Sequence, residues 1–249
     1  MKNELTLSFC ITCKNRFHQI RETLPENLSD NKENKNIIEF ILVDFGSTDG
    51  LQEWIISNFV EEIESGYLKY YYTKELKYWH ASVAKNTAHI LANNQIVVNL
   101  DCDNYTGYRG GIFLIDKFKF YGINTVIHQF SNNVGDGSYG RISLFKSHFL
   151  QIGGYDENFK PVGYQDTNLI LRLWISGFNY IHLADKKYNR AIANTKEDGT
   201  LYTDGREKWI EMNMHNFRYS KKNITSGKLI ANQSKEHIGS NHPLNRVFF

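Results

Sequence analysis

Along the first hundred residues, short apolar runs alternate with segments whose apolar positions recur every three to four residues, the pattern of βαβ units on a largely parallel sheet. Leu5 to Thr12 reads as a first strand. Phe17, Ile20, Leu24 and Leu28 then fall at helical spacing, and Pro25 is expected to limit that helix. Ile37 to Val43 is apolar except at Glu39 and ends at Asp44, where a ligand of an open α/β sheet would sit. A second helix is expected to begin near Ser47 to Gly50, with Leu51, Trp54, Ile55 and Phe59 as its buried face and Ser47, Thr48 or Asp49 as its cap. Tyr67 to Thr73, a helix over Ala81 to Asn93 and a strand over Ile96 to Leu100 follow, and the last strand delivers Asp101 and Asp103 to its carboxyl end.

In the second half the pattern loosens. A helix near Gly111 to Tyr121 and strands near Thr125 to Phe130 and Arg141 to Phe145 make a mixed sheet the expectation. Asp166 to Ser176 reads as a helix that turns Leu169, Ile170, Leu173 and Trp174 inward and stops at Gly177, followed by a short strand, Tyr180 to Leu183. A last helix is expected over 204–219. Residues 220–249 are polar, rich in Asn, Ser, Lys and His, and read as an irregular C-terminal tail behind one domain spanning 1–219. No internal repeat interrupts this plan.

Composition narrows the class. A chain of 249 residues with 41% hydrophobic and 22% charged residues suits one ordered α/β domain. The formal net charge of +2 provides no field for nucleic acid. No run of about 18 apolar residues and no signal-peptide pattern is present, so a cytoplasmic protein is expected. Cys10, Cys13 and Cys102 are too few and too sparse for a disulfide framework. The Cys10/Cys13 spacing has no second pair to complete a zinc site, so these read as buried thiols.

The strongest chemical signal is Asp101-Cys102-Asp103, directly after an apolar strand. Two carboxylates there make a hard oxygen site for Mg²⁺ or Mn²⁺, which would bridge the phosphates of a nucleotide-sugar and neutralise a departing diphosphate. A solvated turn is the plain alternative. Three further segments bear on that choice: Thr12-Cys13-Lys14-Asn15-Arg16, Val43-Asp44-Phe45-Gly46-Ser47-Thr48-Asp49, and Ala84-Lys85-Asn86. In order and spacing, the four together resemble family 2 type glycosyltransferases of the GT-A fold. That resemblance implies an α/β fold with a mixed, mainly parallel central sheet flanked by helices. It also implies an inverting transfer of a hexosyl or N-acetylhexosaminyl group from a nucleotide-diphosphate sugar, UDP-linked, to a hydroxyl of an acceptor glycan. Thr12, Asn15, Arg16, Asp44, Lys85, Asp101 and Asp103 would bind the donor, with Asp44 on the base and Lys85 near base or phosphates. Asp103, with Asp101, would hold Mn²⁺ or Mg²⁺.

The second half carries Gly153-Gly154-Tyr155-Asp156-Glu157 and Pro161-Val162-Gly163-Tyr164-Gln165-Asp166. These are similar to the acceptor-side motif of the same enzymes and of the β-1,4-galactosyltransferase group, with Gln165 in place of a glutamate. Asp166 is thereby the expected general base, although at a helix start it would equally serve as a cap. Asn194 falls where those relatives carry a metal-binding histidine and is the expected third ligand, a weaker one. His182 reads as packed. Tyr78, Trp79, Tyr155 and Tyr164 are candidate sugar platforms, and Asn133 to Gly140 is a candidate lid or a plain turn. A sugar-nucleotide pyrophosphorylase is disfavoured because Leu5 to Arg16 contains no glycine. A catalytically inactive glycan- or nucleotide-binding module is the serious rival, because Gln165 and Asn194 replace expected catalytic types. The resemblance further implies lipid-linked glycan acceptors and work at the inner face of a membrane, with no nucleic-acid partner.

Overall fold

The apolar run Leu7–Cys13 (β1) is buried at every position, as a strand covered on both faces must be. The computed structural model of the chain describes residues 4–74, 76–131, 137–195, 198–235, 237–240 and 245–246. The other strands are Ile38–Asp44 (β2), Leu68–Tyr72 (β3), Ile96–Asn99 (β4), Thr125–Gln129 (β5), Ile142–Phe145 (β6), Asn179–Leu183 (β7) and Asn245–Arg246 (β8). They form one sheet in the order β7-β5-β6-β4-β1-β2-β3-β8. β1 runs parallel to both β2 and β4, β2 to β3, and β5 to β7, whereas β6 is antiparallel to β4 and β5, and β8 to β3. The sheet is therefore mixed, as expected. Its parallel centre brings the carboxyl ends of β1, β2 and β4 to one edge, and Cys13 stands opposite Asp44 there.

Eight α-helices flank it among the described residues: Phe17–Asn31 (α1), Leu51–Asn58 (α2), Val60–Glu64 (α3), Ala81–Leu91 (α4), Gly110–Tyr121 (α5), Lys146–Gln151 (α6), Gln165–Ile175 (α7) and Trp209–Thr225 (α8). Strand side chains divide between two cores with the period of two that a pleat imposes. Phe9, Ile11, Phe40 and Leu42 face α1, α2 and α5, whose contributions include Ile20, Leu51 and Leu114. Cys10, Ile41 and Val43 face the other side, where Ala84 and Ala88 of α4 and Leu169 and Leu173 of α7 close the layer. None of the described helices is long and apolar enough to cross a membrane.

Several expectations are corrected. Pro25 lies inside α1 and does not limit it. It sits on the exposed side, where the carbonyl it leaves unbonded faces water. The start of α2 is capped by no side chain, since Gly50 in a left-handed conformation holds that position. Trp174 is exposed, and Arg172 takes the inward place beside Leu173. Neither α3 nor α6 was expected. The boundary expected at 219 falls inside α8, and the chain beyond it packs on the domain. Asn232 donates to the carbonyls of Gly153 and Tyr155 at 2.8 Å each, Lys235 pairs with Glu157 at 2.7 Å, and Arg246 stands opposite Tyr71 on β3. Of the glycine-rich loop, Asn133 to Asp136 lie outside the described residues.

Candidate functional site

Where β4 ends, Asn99 donates to Asp101 Oδ1 at 3.0 Å and to the Gly140 carbonyl at 2.9 Å. Directly after Asp103, Asn104 pairs with Ala191 in an isolated antiparallel bridge, and Ile192 N–H donates to the Asp103 carbonyl at 2.8 Å. These backbone contacts carry Asn194 to Asp103, and its Nδ2 donates to Asp103 Oδ2, while Gln19 Nε2 donates to Asn194 Oδ1. Asp103 is buried beside Asp101, and both facts push its pKa up to about 7.

From α4, on the opposite face, Lys85 reaches the same place. Its Nζ lies 2.8 Å from Asp166 Oδ1 and 3.6 Å from Asp101 Oδ1. Burial opposes its charge, but the carboxylates of Asp101 and Asp166 offset that and hold the ammonium above its ordinary range. Asp166 stands in the first turn of α7, behind Tyr164, which holds the cap position at φ 66°. Burial raises its pKa against the pull of Lys85. Gly140 makes room for this cluster, since a Cβ there would fall 2.5 Å from Asp101 Oδ2 and 3.2 Å from Lys85 Nζ.

These groups line a cavity of about 540 Å³, within the roughly 300–1,000 Å³ usual for small-molecule sites. Of the expected residues, Thr12, Arg16, Lys85, Asp101, Asp103, Asp166 and Asn194 line it. Two others do not. Asp44 is fully buried, and its carboxylate accepts from Ser47 N–H at 2.8 Å and Tyr70 O–H at 2.9 Å. Asn15 is spent on the loop after β2, accepting from Thr48 N–H at 2.7 Å while its own N–H donates to Ser47 Oγ at 2.9 Å. Lys14, Gln19, Tyr202, Trp209 and Asn213 line the cavity without having been singled out. Lys14 lay within the first motif, and its Nζ donates to the carbonyls of Phe45 at 2.6 Å and Leu76 at 3.3 Å. The α8 residues, Trp209 and Asn213, belonged to no motif.

Among the described residues no three His, Cys, Asp or Glu side chains gather as metal ligands. The donors at hand are the carboxylates of Asp101 and Asp103, hard oxygen ligands suited to Mg²⁺ or Mn²⁺, whereas the Asn194 amide turns its nitrogen to Asp103 and its oxygen to Gln19 and would join them only after a flip. Burial first, and the neighbouring Asp101 charge second, disfavour the ionised form of Asp103, and a bound cation would favour it. The residues therefore fit such an ion.

Residues 8–109 match the sequence model of glycosyl transferase family 2. No curated protein matches the sequence. Among solved structures, a mannosyltransferase, PcManGT from Pyrobaculum calidifontis, in complex with GDP-Man and Mn²⁺, aligns with a TM-score of 0.66 and 18% identity over 89% of this chain and 65% of its own. S. aureus TarS, residues 1–349, aligns at 0.61 and 16% identity over 76% of this chain and 60% of its own. The same TarS segment in complex with UDP-GlcNAc aligns at 0.63 and 16% identity, over 79% and 61%. The chain thus spans about three fifths of the length of these TarS structures. At such identities the likeness speaks for the fold, which is GT-A.

Proposed function

With residues 8–109 carrying the glycosyl transferase family 2 pattern on a GT-A fold, we propose that the chain transfers a hexosyl or N-acetylhexosaminyl group from a UDP-linked donor to a hydroxyl of an acceptor glycan, with inversion. The observation that carries this reading is the convergence on one cavity of Asp101 and Asp103, from the turn after β4, and Asp166, from α7, with Lys85 between Asp101 and Asp166.

Arg16 and Lys14 line the cavity as cations suited to diphosphate oxygens. Asp103, Asp101 and Asn194 would hold Mn²⁺ or Mg²⁺, which when bound supplies positive charge against the departing diphosphate. Asp166 takes the proton of the acceptor hydroxyl as its oxygen bonds to the anomeric carbon and the bond from that carbon to the diphosphate breaks. The raised pKa of Asp166 makes it a stronger base than an ordinary carboxylate. A lipid-carried acceptor would place this work at the inner face of a membrane.

A thermal-shift screen of UDP-, GDP- and TDP-sugars with and without Mn²⁺ tests the donor site. Asp166→Asn should then lower kcat by about 10²-fold or more while leaving donor affinity in place. Donor binding without turnover across a broad acceptor panel would instead favour an inactive binding module, a reading to which the Lys85–Asp166 pair lends weight by occupying the base.

A further inference from the structure

The thiols take no part in the chemistry above, yet two of them meet beside the acidic turn. β1 and β4 keep their parallel register as far as Cys10 and Asn99, and Leu100 N–H still donates to the Cys10 carbonyl at 3.0 Å. Three residues beyond that pair on each chain stand Cys13 and Cys102. Alternation sends both to one face. Phe9, Ile11 and Cys13 lie in the same core as Ile96, Val98 and Leu100, and Cys102 packs against that core. Adjacent strands run about 4.8 Å apart, inside the Cα separation of about 4.4–6.8 Å that a disulfide spans. The two thiols share a hydrogen bond, and that bond, ahead of burial, holds the Cys102 thiol above its ordinary range. Cys10 faces the opposite core, beside Ile41 and Val97, and reaches neither.

Access to the pair is one-sided. Cys102 lines the cavity and is half-buried, whereas Cys13 is only 1% exposed. A reagent entering the cavity therefore meets Cys102, with Cys13 behind it as a resolving thiol. A thiol held protonated reacts slowly, so the pair rests reduced and closes only under a sustained excess of oxidant. Once closed, the bond would not leave the turn as it was. Cys102 sits between the two aspartates, while β1 is paired with a strand on each side, so the turn must move toward the strand and not the strand toward the turn. Mg²⁺ demands near-ideal octahedral geometry and tolerates such a displacement of its ligands poorly.

We propose that Cys13 and Cys102 form a reversible disulfide, with a small organic disulfide as oxidant, and that closing it disables the cation site at Asp101 and Asp103. The Cys102 sulfur attacks one sulfur of the reagent, whose S–S bond breaks, and one thiol leaves with the Cys102 proton. The Cys13 sulfur then displaces the second thiol from the mixed disulfide, and that thiol takes the Cys13 proton. Both cysteines are oxidised, the reagent is reduced to two thiols, and one S–S bond replaces another. The effect on the cation rests on the reading of Asp101 and Asp103 as its ligands; the disulfide itself does not.

Incubation of the full chain with excess 2-hydroxyethyl disulfide at about pH 8, followed by intact-mass measurement, peptide mapping and Mn²⁺ calorimetry with UDP present, tests it. The chain should lose two hydrogens in mass and yield peptides joined through Cys13 and Cys102. Its Mn²⁺ affinity should fall about ten-fold, and dithiothreitol should restore it. Cys13→Ala should stop at the mixed disulfide, Cys102→Ala should not react, and Cys10→Ala should close as the parent does, with circular dichroism confirming that each variant is folded. A folded chain that forms no Cys13 to Cys102 link, or a link that leaves a measurable Mn²⁺ affinity unchanged, overturns the proposal. A chain that links but takes no Mn²⁺ even when reduced would sink the metal reading and leave the disulfide standing.

Discussion

Replacing Lys85 by Met keeps the aliphatic stem and removes only the charge. That charge sits 2.8 Å from Asp166 and 3.6 Å from Asp101 on a side chain only 6% exposed. Deleting one partner of a buried pair costs about 3–5 kcal/mol, because the other charge is left uncompensated. Two features lower the figure here. Asp101 is 32% exposed and can turn to water, and Asp166 already has a raised pKa, so it can take up a proton when its partner is gone. We expect a loss of about 2–3 kcal/mol near pH 8 in metal-free buffer, or roughly 4–12 °C in Tm for a chain of this size. The sign of the pH dependence follows from linkage. Without Lys85, the folded-state pKa of Asp166 rises further above its unfolded value of about 3.9. A carboxyl so shifted costs nothing below the unfolded value and costs progressively more as pH climbs toward the folded one. The deficit should therefore shrink between about pH 8 and about pH 5, and Lys85→Met/Asp166→Asn should recover about half of it. Urea unfolding of the four chains at both pH values measures this. A deficit below about 1 kcal/mol near pH 8, one that ignores pH, or a double variant no more stable than Lys85→Met would refute the claim that Lys85 balances Asp166.

Gly140→Ala drives a methyl to within 2.5 Å of Asp101 Oδ2, the movable end of a side chain, so the fold should lose less than about 1 kcal/mol while Mn²⁺-dependent donor affinity falls about ten-fold. Calorimetry showing unchanged affinity would count against a metal role for Asp101. Burial lowers the pKa of His89 to about 3 and of His128 to about 4, so both enter the fold neutral. Their contribution is complete above the unfolded value of about 6.5 and is lost as pH falls through the gap, at about 1.4 kcal/mol per pH unit for each down to about pH 4. His89→Gln should remove one proton's share of that slope, and an unchanged slope would show that His89 does not titrate with unfolding. Asp44→Asn should destabilise by about 1–2 kcal/mol through its bonds from Ser47 and Tyr70 while nucleotide affinity changes less than about three-fold. A stable variant with badly weakened binding would restore the base contact that the family resemblance implied.

The central strands were legible because a strand covered on both faces must be apolar throughout. The loops at their ends were legible because short motifs mark where a parallel sheet presents ligands. Asp44 does not line the cavity, and alternation held the reason: Phe40 and Leu42 belong to the first core, so Asp44 continues their face and meets Tyr70 there. On α7 nothing in the sequence marks Arg172 as buried, and only the folded chain shows why it is inside. The turn at Gly153 and Gly154, both at positive φ, brings carbonyls of Ile152 and Gly154 to its guanidinium at 2.8 and 2.5 Å. The polar stretch after 219 looked irregular because composition records polarity and not partners, and its Asn232 and Lys235 spend theirs on the Gly153 to Glu157 turn.

The least legible feature organises the acidic turn itself. On α1 the buried face carries Gln19, Thr23, Asn27 and Asn31 at four-residue spacing beside the apolar stripe, an arrangement that reads from sequence as an imperfect amphipathic helix. Each is aimed at the site. Gln19 donates to Asn194, Thr23 to the Cys102 carbonyl at 2.6 Å, Asn27 to the Asn104 carbonyl at 2.9 Å, and Asn31 to Thr106 at 2.9 Å. With Asn104 N–H on the Asp101 carbonyl at 2.9 Å and Ile192 N–H on that of Asp103 at 2.8 Å, each backbone carbonyl from 101 to 104 has a donor. Two like charges two residues apart would otherwise swing away from each other into water. Neutral hydrogen bonds from a neighbouring helix hold the turn that carries them, so little reorganisation remains to be done when a cation or a diphosphate arrives. Residues that touch no substrate thereby decide whether Asp101 and Asp103 act as a pair.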